Sequence, residues 1–450
     1  MADTSTRPSG LTSLQGLDLD LLESAQTQVH SWTNASGTDV RFVEASGLPI
    51  VDLVLRFGAG FAQDTAKSGL AALTLYMLDE GTDGRNAAEQ AERVEGLGVV
   101  LTKSVHMDYS TLSLRSLSDP ALLEPALALF ASMLAKPDFP APALARLKQQ
   151  LHTHNRSQQA IAAVAGRIAA YRQLFAEHPY GNLLGSTAAG MDAVTVEDLR
   201  AFHRIAYSAS NLQISLVGDL DLERARSLTD QLSQALPQGW AAAQPTAATT
   251  AGAAKIHVER PGASTAVCLA MPVAVPADDP QYLALRLANH VLSAGLQSRL
   301  NAELRKRRGL TYGVHSSLSP LRAGGVFLIE WDIASAYVEA AQELVQTLLA
   351  DFIDQGPTAA ELQLARQQLA GQLLRSVARN KSLAGLLAQL AHQQQPADYL
   401  NTFTERLASL TPQAVRETLR RRLDLEGLVK ISVGPAAPQA PLPTPPTTDR

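Results

Sequence analysis

The chain has 450 residues, of which 46% are apolar and 18% are charged. This length exceeds what a single hydrophobic core usually sustains, so two or more domains are expected. The formal net charge of -5 provides no electrostatic basis for binding nucleic acid or anionic lipid, and both partner classes are therefore excluded.

The N-terminal residues 1–38 are predicted to form an extension ahead of the first domain. They contain no apolar signal region, and no run in the chain is long enough for a membrane span. A soluble protein is expected. If a signal peptide has already been removed, the bacterial periplasm is favoured over the cytoplasm as its compartment.

Two segments of similar pattern predict an internal repeat. Thr195 and Thr411 each precede a helical pattern, and the alternating strand that follows ends at Gly218 and Gly434, so both pairs are 216 residues apart. Strands and helices follow the same order in each half of the chain. We therefore predict an α+β fold of two homologous domains, each a mostly antiparallel sheet packed with helices.

Composition sets the predicted domain boundaries. The first domain is predicted over 39–236 and the second over 255–434. Residues 237–254 are rich in Ala, Thr, Gly and Pro, which is typical of an exposed linker. Residues 435–450 are so rich in proline that a disordered tail is predicted.

The stretch "SGLAALTLYMLDEGT", from Ser68 to Thr82, reads as a short helix that is apolar on nearly every side. Such a pattern predicts a helix buried in the core. The longer segment "LRFGAGFAQDTAKSGLAALTLYMLDEGT" resembles the zinc-site segment of the peptidase family that includes pitrilysin, insulin-degrading enzyme and mitochondrial processing peptidase.

In active members of that family an inverted motif, HxxEH, supplies two zinc ligands and the Glu that activates the metal-bound water. The resemblance places these positions at Ala72, Leu75 and Tyr76, none of which suits zinc. It also implies a third ligand, a Glu far downstream, but the corresponding stretch from Arg146 to Ser157 contains no carboxylate. We therefore expect no metal in this chain and no peptidase activity from the chain alone.

A second segment, "SRLNAELRKRRGLTYGVHSSL", places four cations from Arg305 to Arg308 just before Gly309. Cations in the last turn of a helix are stabilised by its dipole. A solvated helix end therefore accounts for Lys306, Arg307 and Arg308 without any binding role.

Arg305 and Tyr312 have a different interpretation. The segment is similar to the "SRLxxxLRxxxGLxYxV" element of the same family, in which an Arg and a Tyr seven positions apart contact the peptide substrate. The resemblance assigns those positions to Arg305 and Tyr312, with Tyr312 expected to open the next strand. A fixed cation and a hydroxyl donor can stabilise the oxyanion that forms when a peptide carbonyl is attacked.

The resemblance thus implies a processing-peptidase-like chain that has lost the zinc half of the active site and kept the other half. Our hypothesis is an accessory subunit that forms a heterodimer with a homologous zinc-bearing chain, whose zinc would be the cofactor of a composite site holding a peptide. The alternative is a catalytically silent structural subunit, similar to the core proteins of respiratory complexes. Retention of both Arg305 and Tyr312 favours the first hypothesis.

Overall fold

The structure, a computed structural model, describes residues 21–64, 67–243, 245–250 and 252–445. Within these ranges the chain forms two large β-sheets, each covered by helices. The predicted N-terminal extension is therefore described only from residue 21. The part of the predicted disordered tail that follows residue 445 lies outside the described residues.

The first sheet is mostly antiparallel. In sheet order its six strands are β1 (His30–Thr33), β2 (Asp39–Glu44), β8 (Leu212–Gly218), β3 (Ile50–Phe57), β7 (Ser110–Leu117) and β6 (Val100–Val105). Only β2 and β8 run parallel. A separate two-stranded ribbon joins β4 (Gly81–Thr82) and β5 (Arg85–Asn86). β3 is buried along nearly its whole length because strands flank both of its edges and helices, among them one from the second half of the chain, pack on the sheet.

The second sheet repeats this topology. In sheet order its five strands are β11 (Val314–Leu321), β12 (Gly324–Ile333), β10 (Thr265–Pro272), β13 (Val429–Gly434) and β9 (Ala254–Glu259). Only β13 and β9 run parallel. Read from the opposite edge, the order matches the first sheet strand for strand, with β1 as the additional strand of the first sheet. The predicted α+β fold of two homologous units is confirmed.

Eight described helices belong to the first half of the chain: α1 (Leu70–Met77), α2 (Ala87–Gly96), α3 (Pro120–Ala135), α4 (Ala141–Ala160), α5 (Ala162–Phe175), α6 (Ala188–Ala193), α7 (Val196–Ala206) and α8 (Leu222–Gln234). The second half contributes a π-helix (Asn301–Arg307) and the described helices α9 (Pro280–Ser293), α10 (Val338–Gln355), α11 (Ala359–Val377), α12 (Asn380–His392), α13 (Tyr399–Ser409) and α14 (Pro412–Arg422). None of the helices that the structure describes is long and apolar enough to cross a membrane.

The repeat predicted from the two threonines is visible in the helix caps. The Thr195 side chain accepts the backbone N–H of Asp198 at the start of α7, and Thr411 accepts that of Ala414 at the start of α14. Satisfying these otherwise unpaired N–H groups fixes where each helix begins. The strands that follow, β8 and β13, occupy the same central place in their sheets.

Each half of the chain covers part of the other half's sheet with a helix. α5 packs against β10 and β13, while α12 packs against β3 and β8. Arg56 of β3 donates from Nη1 to the carbonyl oxygen of Ala388 in α12 at 2.9 Å. Separating the halves would expose apolar surface on both sheets, so burial holds them together.

A polar junction also joins the halves. The Asp108 carboxylate accepts hydrogen bonds from the Tyr180 hydroxyl and, at 3.1 Å, from the backbone N–H of Arg322. Beside it lies a group that we call the junction cluster, made up of Arg56, His106, Tyr109, Arg322 and His392. The rings of His106 and His392 lie 4.7 and 4.5 Å from the Tyr109 ring, and the Arg56 guanidinium lies 3.9 Å above it.

The chain beyond β13 keeps contact with the second half. Gln439 accepts the backbone N–H of Glu339 at 3.0 Å, and Ala440 donates to the carbonyl oxygen of Ala336 at 2.8 Å. Leu442 packs against the second core. Within residues 435–445, which lie in the predicted tail, single hydrogen bonds and one apolar side chain thus contact the second half although no helix or strand forms there.

Candidate functional site

The first candidate site is centred on α1, which is buried on almost all sides. Its start is fixed by Asp64, whose two carboxylate oxygens accept the backbone N–H groups of Gly69 at 2.6 Å and Ala71 at 2.7 Å. Gly69 has φ 109°, a left-handed conformation that a residue with a Cβ adopts only with strain. The buried helix predicted within Ser68 to Thr82 is confirmed, and it spans Leu70–Met77.

The three positions at which the resemblance expects HxxEH carry side chains that are unsuited to zinc. Ala72 and Leu75 are buried and have no lone pair to offer. Tyr76 is half-buried, and burial raises the pKa of its phenol, so the hydroxyl stays protonated at neutral pH. Zinc prefers thiolate, imidazole and carboxylate ligands, and the residues present at this site do not fit it.

Two cations now tie α1 to its neighbours. Lys103 of β6 forms an ion pair with Asp79, donates to the carbonyl oxygen of Tyr76 at 3.2 Å and lies 5.7 Å from the centre of the Tyr76 ring. Arg146 of α4 forms an ion pair with Glu80. Both acidic residues that follow α1 are thus ion-paired, and the pairs join β6 and α4 to this end of the helix. Sequence spacing gave no sign of either ion pair.

The stretch expected to lack the third zinc ligand forms the middle and C-terminal part of α4. His152 in this stretch bonds through Nε2 to the Asp192 carboxylate at 2.9 Å. In the part of the chain that the structure describes, no three His, Cys, Asp or Glu side chains lie close enough together to hold a metal.

The second candidate site is the π-helix and the residues up to the start of β11, which we call the Arg/Tyr corner (residues 301–314). The buried side chain of Asn301 holds its two ends together. Asn301 Nδ2 donates to the carbonyl oxygens of Ser293 at 3.0 Å and Val314 at 3.1 Å, and its Oδ1 accepts the Val314 N–H at 3.3 Å. Leu304 is fully buried beneath it. The corner therefore rests on a rigid base.

Ion pairs at the end of the π-helix agree with a solvated helix end for two of the four cations. Arg307 and Arg308 both bond to the Glu303 carboxylate, at 3.1 and 2.7 Å. Arg305 and Lys306 are exposed, and neither side chain has a hydrogen-bond or ion-pair partner within the described ranges. Arg305 and Lys306 are thus unpaired among the described residues, whereas Arg307 and Arg308 are held by Glu303.

Tyr312 is the most exposed large apolar side chain among the described residues, with 97% of its surface accessible. Its hydroxyl has no hydrogen-bond partner there, and the structure gives no direct bond between it and Arg305. The residue lies in a bend after Gly309, which has φ 64°, whereas β11 begins at Val314. The expectation that Tyr312 opens the strand is therefore wrong by two residues. The corner presents a guanidinium and a phenol to solvent from one anchored segment.

Comparison with known proteins identifies the family to which the chain is similar. Residues 193–369 match the model of the peptidase M16 inactive domain. The crystal structure of a peptidase M16 inactive domain from Pseudomonas fluorescens is 37% identical to this chain and has a TM-score of 0.89. The match covers 92% of this chain and all of that one.

Similarity is also found to a curated protein and to a solved structure from Helicobacter pylori. A protein named non-peptidase homolog YmxG is 24% identical over 364 residues, which is 80% of this chain and 83% of that protein. The crystal structure of a protease from the same species has a TM-score of 0.83 at 19% identity, over 91% of this chain and all of that one, and supports the fold alone.

Proposed function

The chain belongs to the M16 peptidase family as a member without the zinc-binding residues, and we propose that it acts as an accessory subunit for a homologous zinc-bearing chain. In this proposal the partner binds zinc and this chain contributes Arg305 and Tyr312. A peptide is held between the two subunits.

The observation that carries the proposal is the combination of exposure and anchoring at the Arg/Tyr corner. A tyrosine that is 97% accessible buries none of its ring and gains little from folding. The segment that carries it is nevertheless fixed by the buried Asn301. A π-helix is rare and is frequently found at functional sites. An anchored segment with two free donors is suited to a ligand that arrives from outside.

The chemistry of the pair suits a peptide carbonyl. The guanidinium of Arg305 carries a permanent charge and several N–H donors, and the hydroxyl of Tyr312 adds one O–H donor. Donors fixed before the reaction stabilise the negative charge that develops on the carbonyl oxygen in the transition state. Neither group can activate water for attack, so the proposal requires a second chain for that step.

The interlocking of the two halves supports a site between chains rather than within this one. Because α5 and α12 each cover the sheet of the other half, opening the chain between its halves would expose both cores. A peptide-binding site is therefore more easily formed between this chain and a separate subunit.

The proposal is tested by isolating the tagged chain from its native source and identifying what co-purifies. We expect a homologue that carries HxxEH, and we expect peptidase activity in the mixture to exceed that of either purified chain. Co-purification of only proteins without that motif, or a mixture no more active than the zinc-bearing chain alone, would overturn the proposal. The silent structural subunit would then be the better account.

A further inference from the structure

A cavity of about 650 Å³ lies between α4, α5 and the segment that leads from α5 to α6. It is separate from Ala72, Leu75 and Tyr76, and the residues that line it all belong to the first half of the chain. Pockets of about 300–1,000 Å³ are the usual size for small ligands or short peptide segments. The proposed function of the Arg/Tyr corner makes no use of this cavity.

Two cations on neighbouring helices line the cavity. Arg156 belongs to α4 and Arg172 to α5, and both are exposed. Neither side chain has an ion pair or hydrogen bond to any residue that the structure describes. A planar guanidinium binds carboxylate or phosphate oxygens in pairs, so two of them at one cavity favour an anion.

The wall also offers a buried amide. Asn155 is 9% exposed and donates from Nδ2 to Ser186 Oγ at 2.7 Å. Its Oδ1 accepts no hydrogen bond from the described residues. Phe61 and Met191 add buried apolar surface beside it. The cavity therefore combines two cations at its surface with a polar and an apolar group in its wall.

Two carboxylates, those of Asp64 and Glu177, also line the cavity. Asp64 lines it, but both of its carboxylate oxygens accept backbone N–H groups at the start of α1. His152 is already bonded to Asp192. Glu177 is the exposed carboxylate of the lining, and it lies on α5's C-terminal side without a partner among the described residues. It opposes an anion and provides a means of testing the site.

We propose that this cavity is a binding site for a carboxylate-bearing ligand, in which Arg156 and Arg172 hold the anionic groups. Two sources share this chemistry, an acidic peptide segment and a small free dicarboxylate. The site is independent of the Arg/Tyr corner, so binding by the isolated chain is expected whether or not a zinc-bearing partner exists.

The test measures binding of a fluorescent, end-capped peptide of six glutamates to the full chain, with free glutarate as competitor. The double variant Arg156→Gln/Arg172→Gln is expected to weaken binding by at least about tenfold. Its matched control is Arg93→Gln/Arg204→Gln, which removes two exposed arginines of the first half outside the cavity and should bind like the unaltered chain. Binding should also weaken as salt rises.

Glu177→Gln gives a result that misfolding cannot imitate, because removing the opposing carboxylate should strengthen binding by roughly two- to threefold. Displacement by glutarate at matched carboxylate concentration would identify a free anion as the natural source, whereas binding of the peptide alone would identify a peptide. Equal loss in the cavity and control variants, or no binding of either probe, would overturn the proposal.

Discussion

Helix α1 and the Arg/Tyr corner are both anchored in a buried core, yet only α1 is closed to solvent. At α1, Ala72 and Leu75 are buried and Tyr76 is half-buried, and the acidic residues that follow the helix are ion-paired. At the corner, Arg305 and Tyr312 remain exposed and unpaired among the described residues. The chain therefore buries one of these two regions and exposes the donor groups of the other.

The difference shows that a helix can be held in place by apolar burial and ion pairs alone. Most side chains of α1 are buried, and burial of apolar groups is favourable. Lys103 and Arg146 join the end of α1 to β6 and α4 through ion pairs with Asp79 and Glu80. No described residue covers Arg305 or Tyr312 in a comparable way, which is why our proposed function is centred on them.

The largest effect is expected where the two regions receive the same charge. Leu75→Glu, which restores the acid of HxxEH, would bury an unpaired carboxylate and should lower the free energy of unfolding by about 3–5 kcal/mol. Tyr312→Glu places the same group in solvent and should change it by less than about 0.5 kcal/mol. Urea unfolding of both variants measures the difference. Equal losses would show that the two regions are not distinct in burial.

The junction cluster gives a pH-dependent test. Burial, with the charges of Arg322 and Arg56, lowers the pKa of His392 to about 3. Between pH 6.5 and that value the unfolded chain binds a proton that the folded chain does not, so stability falls as the pH falls. Between pH 6.5 and 5 this one group should remove up to about 2 kcal/mol.

His392→Gln removes that proton uptake, so the variant should lose less stability than the unaltered chain over the same pH interval. Identical pH profiles for His392→Gln and the unaltered chain would contradict the assigned cause.

A smaller effect is expected from removing single cations. Lys103→Met breaks the ion pair with Asp79 and the bond to the Tyr76 carbonyl, and should lower the free energy of unfolding by about 1 kcal/mol. Lys306→Met in the Arg/Tyr corner removes an exposed cation without a described partner and should have almost no effect. A loss at Lys306 as large as that at Lys103 would mean that the corner, too, is held by its cations.

Much of this arrangement was predictable because its signals are local. Thr195 and Thr411 revealed the repeat through their caps, and the apolar run around Leu75 predicted a buried helix. The residue types at Ala72 and Tyr76 led to the expectation that this chain binds no zinc. Each of these depends on residues close together in the chain.

Other features depend on contacts between distant segments and left no such signal. Lys103 of β6 pairs with Asp79, which follows α1. The helices α5 and α12 each pack against the sheet formed by the other half of the chain. The π-helix resembles an ordinary helix in sequence, since its hydrogen-bond spacing is set by packing. The start of β11 at Val314 likewise depends on the hydrogen bonds between Asn301 and Val314, whereas the residues just before Val314 already had a strand-like pattern in the sequence.

The most direct test of the central claim is the activity of the reconstituted complex when the corner is altered. The variants Arg305→Ala and Tyr312→Phe, with Lys306→Ala as a matched control from the same π-helix, are each combined with the zinc-bearing partner at equal complex concentration. Loss of one fixed oxyanion donor should lower kcat/KM by about 100- to 1,000-fold, with association and zinc content unchanged. Unchanged kinetics in both corner variants would contradict the account and leave a structural subunit in its place.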